Sequence, residues 1–241
     1  MIYRFDTLGS SNDEACKPQY VEGDIILAQC QTAGRGQRGH TWESREGENL
    51  TFSLLLEPQF LSPSEQFLIS ECVALGVCDA LLHYGIEAQI KWTNDIYIGN
   101  RKLAGILIEH KLQGSALART VAGIGLNVNQ KAFSDDLPNP ISMAQTTGRE
   151  FDREEVLQTV ATSLMARYEQ LREGGARELQ ADYHQRLYRL GQEHCYALPD
   201  GSRFRGIIRG VEPTGALRIE NERGEQLSFL FKEVEFVIHG R

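Results

Sequence analysis

The run Gly34-Arg35-Gly36-Gln37-Arg38-Gly39-His40-Thr41-Trp42 sets three glycines among two arginines and a glutamine and closes on a tryptophan. Glycine lets a backbone turn tightly and approach a ligand closely. Arginine presents a planar, permanently charged fork suited to phosphate and carboxylate, and the indole offers a flat face. The combination suits a loop that closes over an anion attached to something flat. Taken alone, a solvated basic loop or an RNA-binding Arg-Gly segment would look the same. The glycines also satisfy G-x-G-x-x-G, with Glu57 lying 18 residues beyond Gly39, which imitates a dinucleotide fingerprint. The context argues against that reading. The fingerprint must open a helix, whereas Glu43-Ser44-Arg45-Glu46-Gly47-Glu48-Asn49 carries no apolar helical stripe, and bulky arginines stand where backbone should meet pyrophosphate.

Three further stretches carry polar residues where a core is expected. Lys91, Asn94, Asp95 and Lys102 fall within twelve positions of strand-type sequence. Buried polar groups without partners cost roughly 1–3 kcal/mol each, so these need either a ligand or one another; Lys102 paired with Asp95 is the internal solution. Gly123-Ile124-Gly125-Leu126-Asn127-Val128-Asn129 is a glycine-punctuated strand, and glycine in a strand marks close approach by a ligand, a second backbone or a bulge. Ser10-Ser11-Asn12-Asp13 suits a turn and a helix cap.

The elements that must position these residues are legible as well. Ile2 to Leu8, Ile25 to Ala28 and Leu50 to Leu56 read as strands. Ser62-Pro63-Ser64-Glu65 starts a helix through a capping box with proline in the first turn; Leu68, Cys72, Leu75 and Leu82 form its inward stripe and Gly85 ends it. Asp95 to Ile98 and Arg101 to Glu109 form a hairpin across Gly99-Asn100. Asp152 caps a second long helix with Leu157, Val160, Leu164, Tyr168 and Leu171 inward, and Gly174-Gly175 stops it. A third helix spans about Ala176 to Leu190. Beyond Gly191, short β-type runs separated by Asp200-Gly201, Gly210, Gly215 and Gly224 indicate a small barrel or sandwich. The expected organisation is therefore two domains, 1–190 and 191–241.

The 241-residue chain has a net charge of -8 and a pI near 5.3. Nucleic-acid binders are normally basic, so a cationic loop on an acidic protein reads as a local anion site. The five cysteines show no C-x-x-C pair or ligand spacing, which suits free thiols in a reducing compartment. The N-terminus lacks a signal peptide's apolar core. No apolar run is expected to reach the roughly 20 residues of a membrane span. The expectation is a cytoplasmic protein without a membrane partner.

Three motifs in order, Gly34 to Trp42, Lys91-Trp92-Thr93-Asn94-Asp95 with Arg101 to Glu109, and Gly123 to Asn127, together with Ser10-Ser11-Asn12 upstream, resemble the biotin–protein ligases over essentially the whole chain. The resemblance implies an α+β fold: a mixed sheet with helices, related to class II aminoacyl-tRNA synthetases, followed by an SH3-like barrel. It implies ATP with Mg²⁺, biotin as substrate and biotinyl-5'-AMP as intermediate. The acceptor is then a lysine of the biotin carboxyl carrier protein of acetyl-CoA carboxylase, and no protein metal ligands are identified.

Residue by residue, the resemblance places Ser10, Ser11, Asn12 and Gln31 at biotin's ureido end and ring, and Arg35, Gly36 and Gln37 in the biotin-side loop. Lys102 bridges carboxylate and α-phosphate with Gly105 leaving room beside it. Trp42 stacks near adenine, Arg38, Lys91, Asn94 and Asn127 serve the nucleotide, and Asp95 lies near the attacking lysine or orients Lys102. Lys102, Arg35, Arg38 and Asp95 form the catalytic set. Many members carry arginine where Gln37 stands, which implies looser retention of the intermediate. Family members include dimers that pair through sheet edges, so a homodimer is a possible assembly. With Met1 close before Ser10, no DNA-binding segment and no nucleic-acid partner are expected. A lipoate ligase, sharing this fold and adenylate logic, is the neighbouring alternative.

Overall fold

The computed structural model describes residues 1–37, 41–114 and 116–238. Its larger sheet has seven strands in the order β1-β2-β3-β7-β6-β5-β4. These are β1 (Ile2–Leu8), β2 (Ile25–Gln31), β3 (Leu50–Leu56), β4 (Gln89–Lys91), β5 (Asp95–Ile98), β6 (Arg101–Gln113) and β7 (Ala116–Leu126). β1 runs parallel to β2 and every other neighbouring pair is antiparallel. The sheet is thus mixed, as expected, with the hairpin turning at Gly99-Asn100, where Gly99 adopts φ +54.

Both faces of the central strands are covered, so β3 is buried along its whole length. On one face Leu27, Leu54, Ile124 and Ala104 meet α2 (Phe67–His83) and α4 (Arg153–Arg172) in the main core. On the other, Ile26, Leu55 and Val121 meet Ala15 of the short helix α1 (Ser11–Ala15). This division follows from the alternation of side chains along a strand.

α2 differs from its expectation in two ways. A single 3-10 turn over Pro63–Glu65 precedes it, with the Glu65 carboxylate accepting from the Ser62 N–H at 3.1 Å. Leu82, expected inward, is 51% exposed, because the apolar residues surround the rest of the helix instead of forming one stripe. The expectation of no span-length apolar run is also corrected: Pro63–His83 is long and apolar enough to cross a membrane by length and composition, and it is a core helix here because sheet and helices bury it.

α5 (Ala176–Gln185) stops short of Leu190. The chain turns away because Tyr188 N–H donates to the Ile90 carbonyl and Ile90 N–H to that of Arg186, adding this segment to the edge strand β4. An unanticipated α3 (Met143–Thr147) is capped by Ser142, which accepts from Gln145 N–H, and ends at Gly148 with φ +77.

The second sheet is antiparallel, ordered β11-β10-β9-β8-β12, from β8 (Glu193–Ala197), β9 (Arg203–Val211), β10 (Leu217–Asn221), β11 (Gln226–Phe229) and β12 (Glu235–Phe236). Its inward residues Ile208, Leu217 and Ile219, with Val234 just before β12, belong to the same buried cluster as the α2 face of the large sheet. Trp92 Nε1 donates to the Gly215 carbonyl at 2.9 Å across the junction. Gly215 has φ +89, and a Cβ there would come 2.6 Å from the Phe67 ring.

Candidate active site

Facing glycines on β6 and β7 make a bare backbone floor. Gly105 is directly opposite Gly125, and Gly123 opposite Leu107. A Cβ at Gly123 would lie 2.2 Å from Asn12 Oδ1, at Gly125 2.1 Å from Trp42 Cε2, and at Gly105 2.9 Å from Trp42 Cζ3. These strand glycines exist because Asn12 and the Trp42 indole rest directly on the backbone. Above this floor is a cavity of about 700 Å³, of the size that takes a small-molecule ligand.

One end is polar and interlocked. The Ser11 N–H donates to Gln31 Oε1 at 2.7 Å. Ser53, fully buried on β3, has its hydroxyl 2.6 Å from Asn12 Oδ1 and 2.8 Å from Ser11 Oγ. Its one proton serves one of these acceptors at a time, and the Asn12 amide oxygen is the nearer. Asn12 Nδ2 donates to Glu109 Oε2 at 2.7 Å and to the Leu107 carbonyl at 3.3 Å. Glu109 also takes the Arg35 fork, at 2.9 and 2.7 Å, and Arg35 reaches Asp13 at 2.7 Å. The Glu109 hydrogen bonds raise the pKa of Arg35 above its already high value. Although Ser10 occupies the helix N-cap position, its side chain makes no capping bond, so capping alone does not explain this segment.

The middle holds an ion pair, Lys102 Nζ to Asp95 at 2.8 Å, with Nζ 5.6 Å from the Trp42 ring. The pairing anticipated from sequence therefore forms inside the cavity. The far end is aromatic. Lys91 Nζ lies 4.8 Å from the Phe236 ring and 5.4 Å from Tyr97; burial lowers its pKa, with Asp95 opposing and Lys102 reinforcing the shift. Phe231 and Lys232 of the β11–β12 turn, with Glu235 of β12, complete this wall. Trp42 Nε1 is buried without a partner among the described residues.

The cavity gathers Ser10, Ser11, Asn12, Gln31, Arg35, Gly36, Gln37, Trp42, Lys91, Asp95, Lys102 and Gly105. Two expected residues do not line it. Asn94 is buried beneath β6, donating to the Ile106 carbonyl, and Asn127 donates to that of Ile141 at 3.0 Å. Arg38 lies outside the described residues. Sequence reading left Ser53, Asp13 and Glu109 without roles. A buried-strand serine among the leucines and phenylalanine of Leu50–Leu56 and a glutamate closing the β6 motif were the signals available.

The model of the biotin/lipoate A/B protein ligase family matches residues 7–127. The chain belongs to this family. Among its curated relatives, the biotin--[acetyl-CoA-carboxylase] ligase of Paracoccus denitrificans is 33% identical over 238 residues, covering 94% of this chain and 96% of that protein. The bifunctional ligase/repressor BirA of Bacillus subtilis is 31% identical over 233 residues, covering 93% of this chain and 70% of its own. The chain spans 63% of the length of the Bacillus spizizenii ligase/repressor. The biotin protein ligase from Aquifex aeolicus, solved in complex with biotin and ATP, superposes with a TM-score of 0.82 at 25% identity, over 97% of each chain. A mixed sheet with helices followed by an antiparallel β unit is the architecture shared with that biotin protein ligase.

Proposed function

We propose that this chain is an ATP-dependent biotin–protein ligase. It joins biotin's carboxylate to the α-phosphorus of ATP and passes the biotinyl group to a lysine of the carrier protein of acetyl-CoA carboxylase. The observation that carries the reading is the glycine-floored cavity in which one polar end, one central lysine and one aromatic end stand in line.

In the first half-reaction a carboxylate oxygen bonds to the α-phosphorus and pyrophosphate leaves. Two like unit charges 4 Å apart repel by roughly 4 kcal/mol at an effective dielectric near 20, so a cation must stand between the reactants. Lys102 is placed for this, exchanging its Asp95 partner for the incoming anions. Magnesium enters as part of the nucleotide substrate, on its phosphate oxygens. In the second half-reaction the neutral lysine amine of the carrier attacks the acyl carbon, AMP leaves, and Asp95, freed from Lys102, takes the amine's proton. Ser11, Asn12 and Gln31 hold the ureido end, and Trp42 stacks on the purine. Arg38 keeps its proposed nucleotide role, Gln37 its looser grip on the intermediate, and Asn94 and Asn127 support the floor.

The division at residues 190 and 191, a cytoplasmic setting, a homodimer and the absence of a nucleic-acid partner belong to this proposal. Biotin-dependent exchange of labelled pyrophosphate into ATP tests it. Wild type should exchange only with biotin, and Lys102→Ala should lose at least about a hundredfold, the scale for removing one transition-state cation. Exchange supported by lipoate and not by biotin would change the substrate; biotin binding without exchange would sink the enzymatic reading.

A further inference from the structure

We propose that Glu109 is a positioning residue that couples the two ends of biotin's own binding site, by fixing the amide of Asn12 and holding Arg35 beside it. This rests on the biotin reading above and adds a residue to which that reading gives no role. Glu109 accepts three N–H groups: both Arg35 Nη atoms, at 2.9 and 2.7 Å, and Asn12 Nδ2 at 2.7 Å. Only a group with acceptors on both oxygens and no donor can do this, which is the chemistry of a carboxylate.

The consequence for Asn12 is a fixed amide. Nδ2 is committed to Glu109 and the Leu107 carbonyl, and Oδ1 to the Ser53 hydroxyl. The amide lies against Gly123, where no side chain could intervene. Asn12 therefore offers a ligand an acceptor lone pair and no donor, which selects an N–H of a urea-type ring. The consequence for Arg35 is a fixed charge balance. One guanidinium faces two carboxylates, Glu109 and Asp13, so the cluster is net negative, and drawing the arginine toward an incoming anion leaves the two carboxylates without their shared cation. Through Glu109, occupancy of the urea site and release of Arg35 toward the anionic end act on the same carboxylate.

Glu109→Gln breaks this arrangement diagnostically, because a glutamine must aim its N–H groups at Arg35 in either orientation, and at Asn12 as well when they take the place of Oε2. The expected result by calorimetric titration is a rise of about tenfold in the biotin Kd, with the KM for ATP within about twofold of wild type. A merely structural defect would move both. Asp13→Asn removes the other carboxylate on Arg35 without touching Asn12, and its effect on biotin should be at least threefold smaller. Equal effects of the two variants would overturn the proposal in favour of local charge alone, as would unchanged biotin affinity in Glu109→Gln. If Glu109→Gln fails to fold, an Asn12→Ala and Arg35→Ala cycle decides: additive losses of biotin affinity overturn the coupling, and an interaction of about threefold or more supports it. Wild-type protein that binds no biotin would remove the functional reading itself.

Discussion

At the polar end of the cavity Ser11, Ser53, Asn12, Glu109 and Arg35 hold one another through contacts of 2.6 to 2.9 Å. At the aromatic end Lys91 faces two rings, and the Trp42 N–H is buried with no partner among the described residues. The first end is organised before any ligand arrives, so binding there loses little freedom. The second has a desolvated cation and an unsatisfied donor, and a ligand supplies what they lack. On the proposed function, the difference teaches how one cavity orders two substrates: the rigid end selects the urea ring, and the incomplete end gains most from an anionic, flat partner.

The largest expected effect is at the seam between the ends. Gly125→Val would drive a side chain into the Trp42 indole, 2.1 Å from the built Cβ. Because the obstructing atoms belong to a side chain that can swing away, the fold should survive while pyrophosphate exchange falls at least about a hundredfold. Retained exchange would mean that the indole has no part in nucleotide binding. Ser53→Ala tests the rigid end more gently. It leaves Asn12 Oδ1 without its donor, and the biotin Kd should rise about tenfold, corresponding to roughly 1.4 kcal/mol, with ATP kinetics unmoved. An equal rise in the KM for ATP would erase the distinction between the ends.

The smallest functional effect belongs to Glu71, a carboxyl inside α2 whose Oε2 is buried without a hydrogen-bond partner among the described residues. Burial raises its pKa to about 8. The folded protein thus keeps a proton that the unfolded chain releases, and stability is lost as pH climbs from the ordinary carboxylate range toward 8. Glu71→Gln should raise the melting temperature progressively between about pH 5 and pH 8, worth a few kcal/mol at the upper limit, with exchange activity at neutral pH preserved. A pH-independent shift would show that Glu71 ionises freely in the fold.

Much of this arrangement is legible in the residues themselves. Alternating and continuous apolar runs placed β1, β2 and β3, and the Gly99-Asn100 turn placed the β5–β6 hairpin. Gly123 and Gly125 of β7 announced close approach without naming what approached. What sequence reading missed depends on partners distant along the chain. Glu109 is recognisable as a clamp only once the fold brings it to Asn12, 97 residues away. The end of α5 is set by pairing with Ile90, and the exposure of Leu82 by which flank of α2 lacks a neighbour. Asn94 and Asn127 sit in motifs shared with cavity residues, yet each lies just outside a strand end and donates its amide to a backbone carbonyl, of Ile106 and Ile141.

The buried cluster that runs without a break from the large sheet into the small one has a thermodynamic consequence. Ile208, Leu217 and Val234 share their core with Leu54 and Leu75, so the free energy that holds the Phe236 wall in place is drawn from the whole molecule. Melting the small sheet alone would strip apolar cover from the large one, so on the proposed function nucleotide entry is expected to come from rearrangement of side chains and loops at the rim.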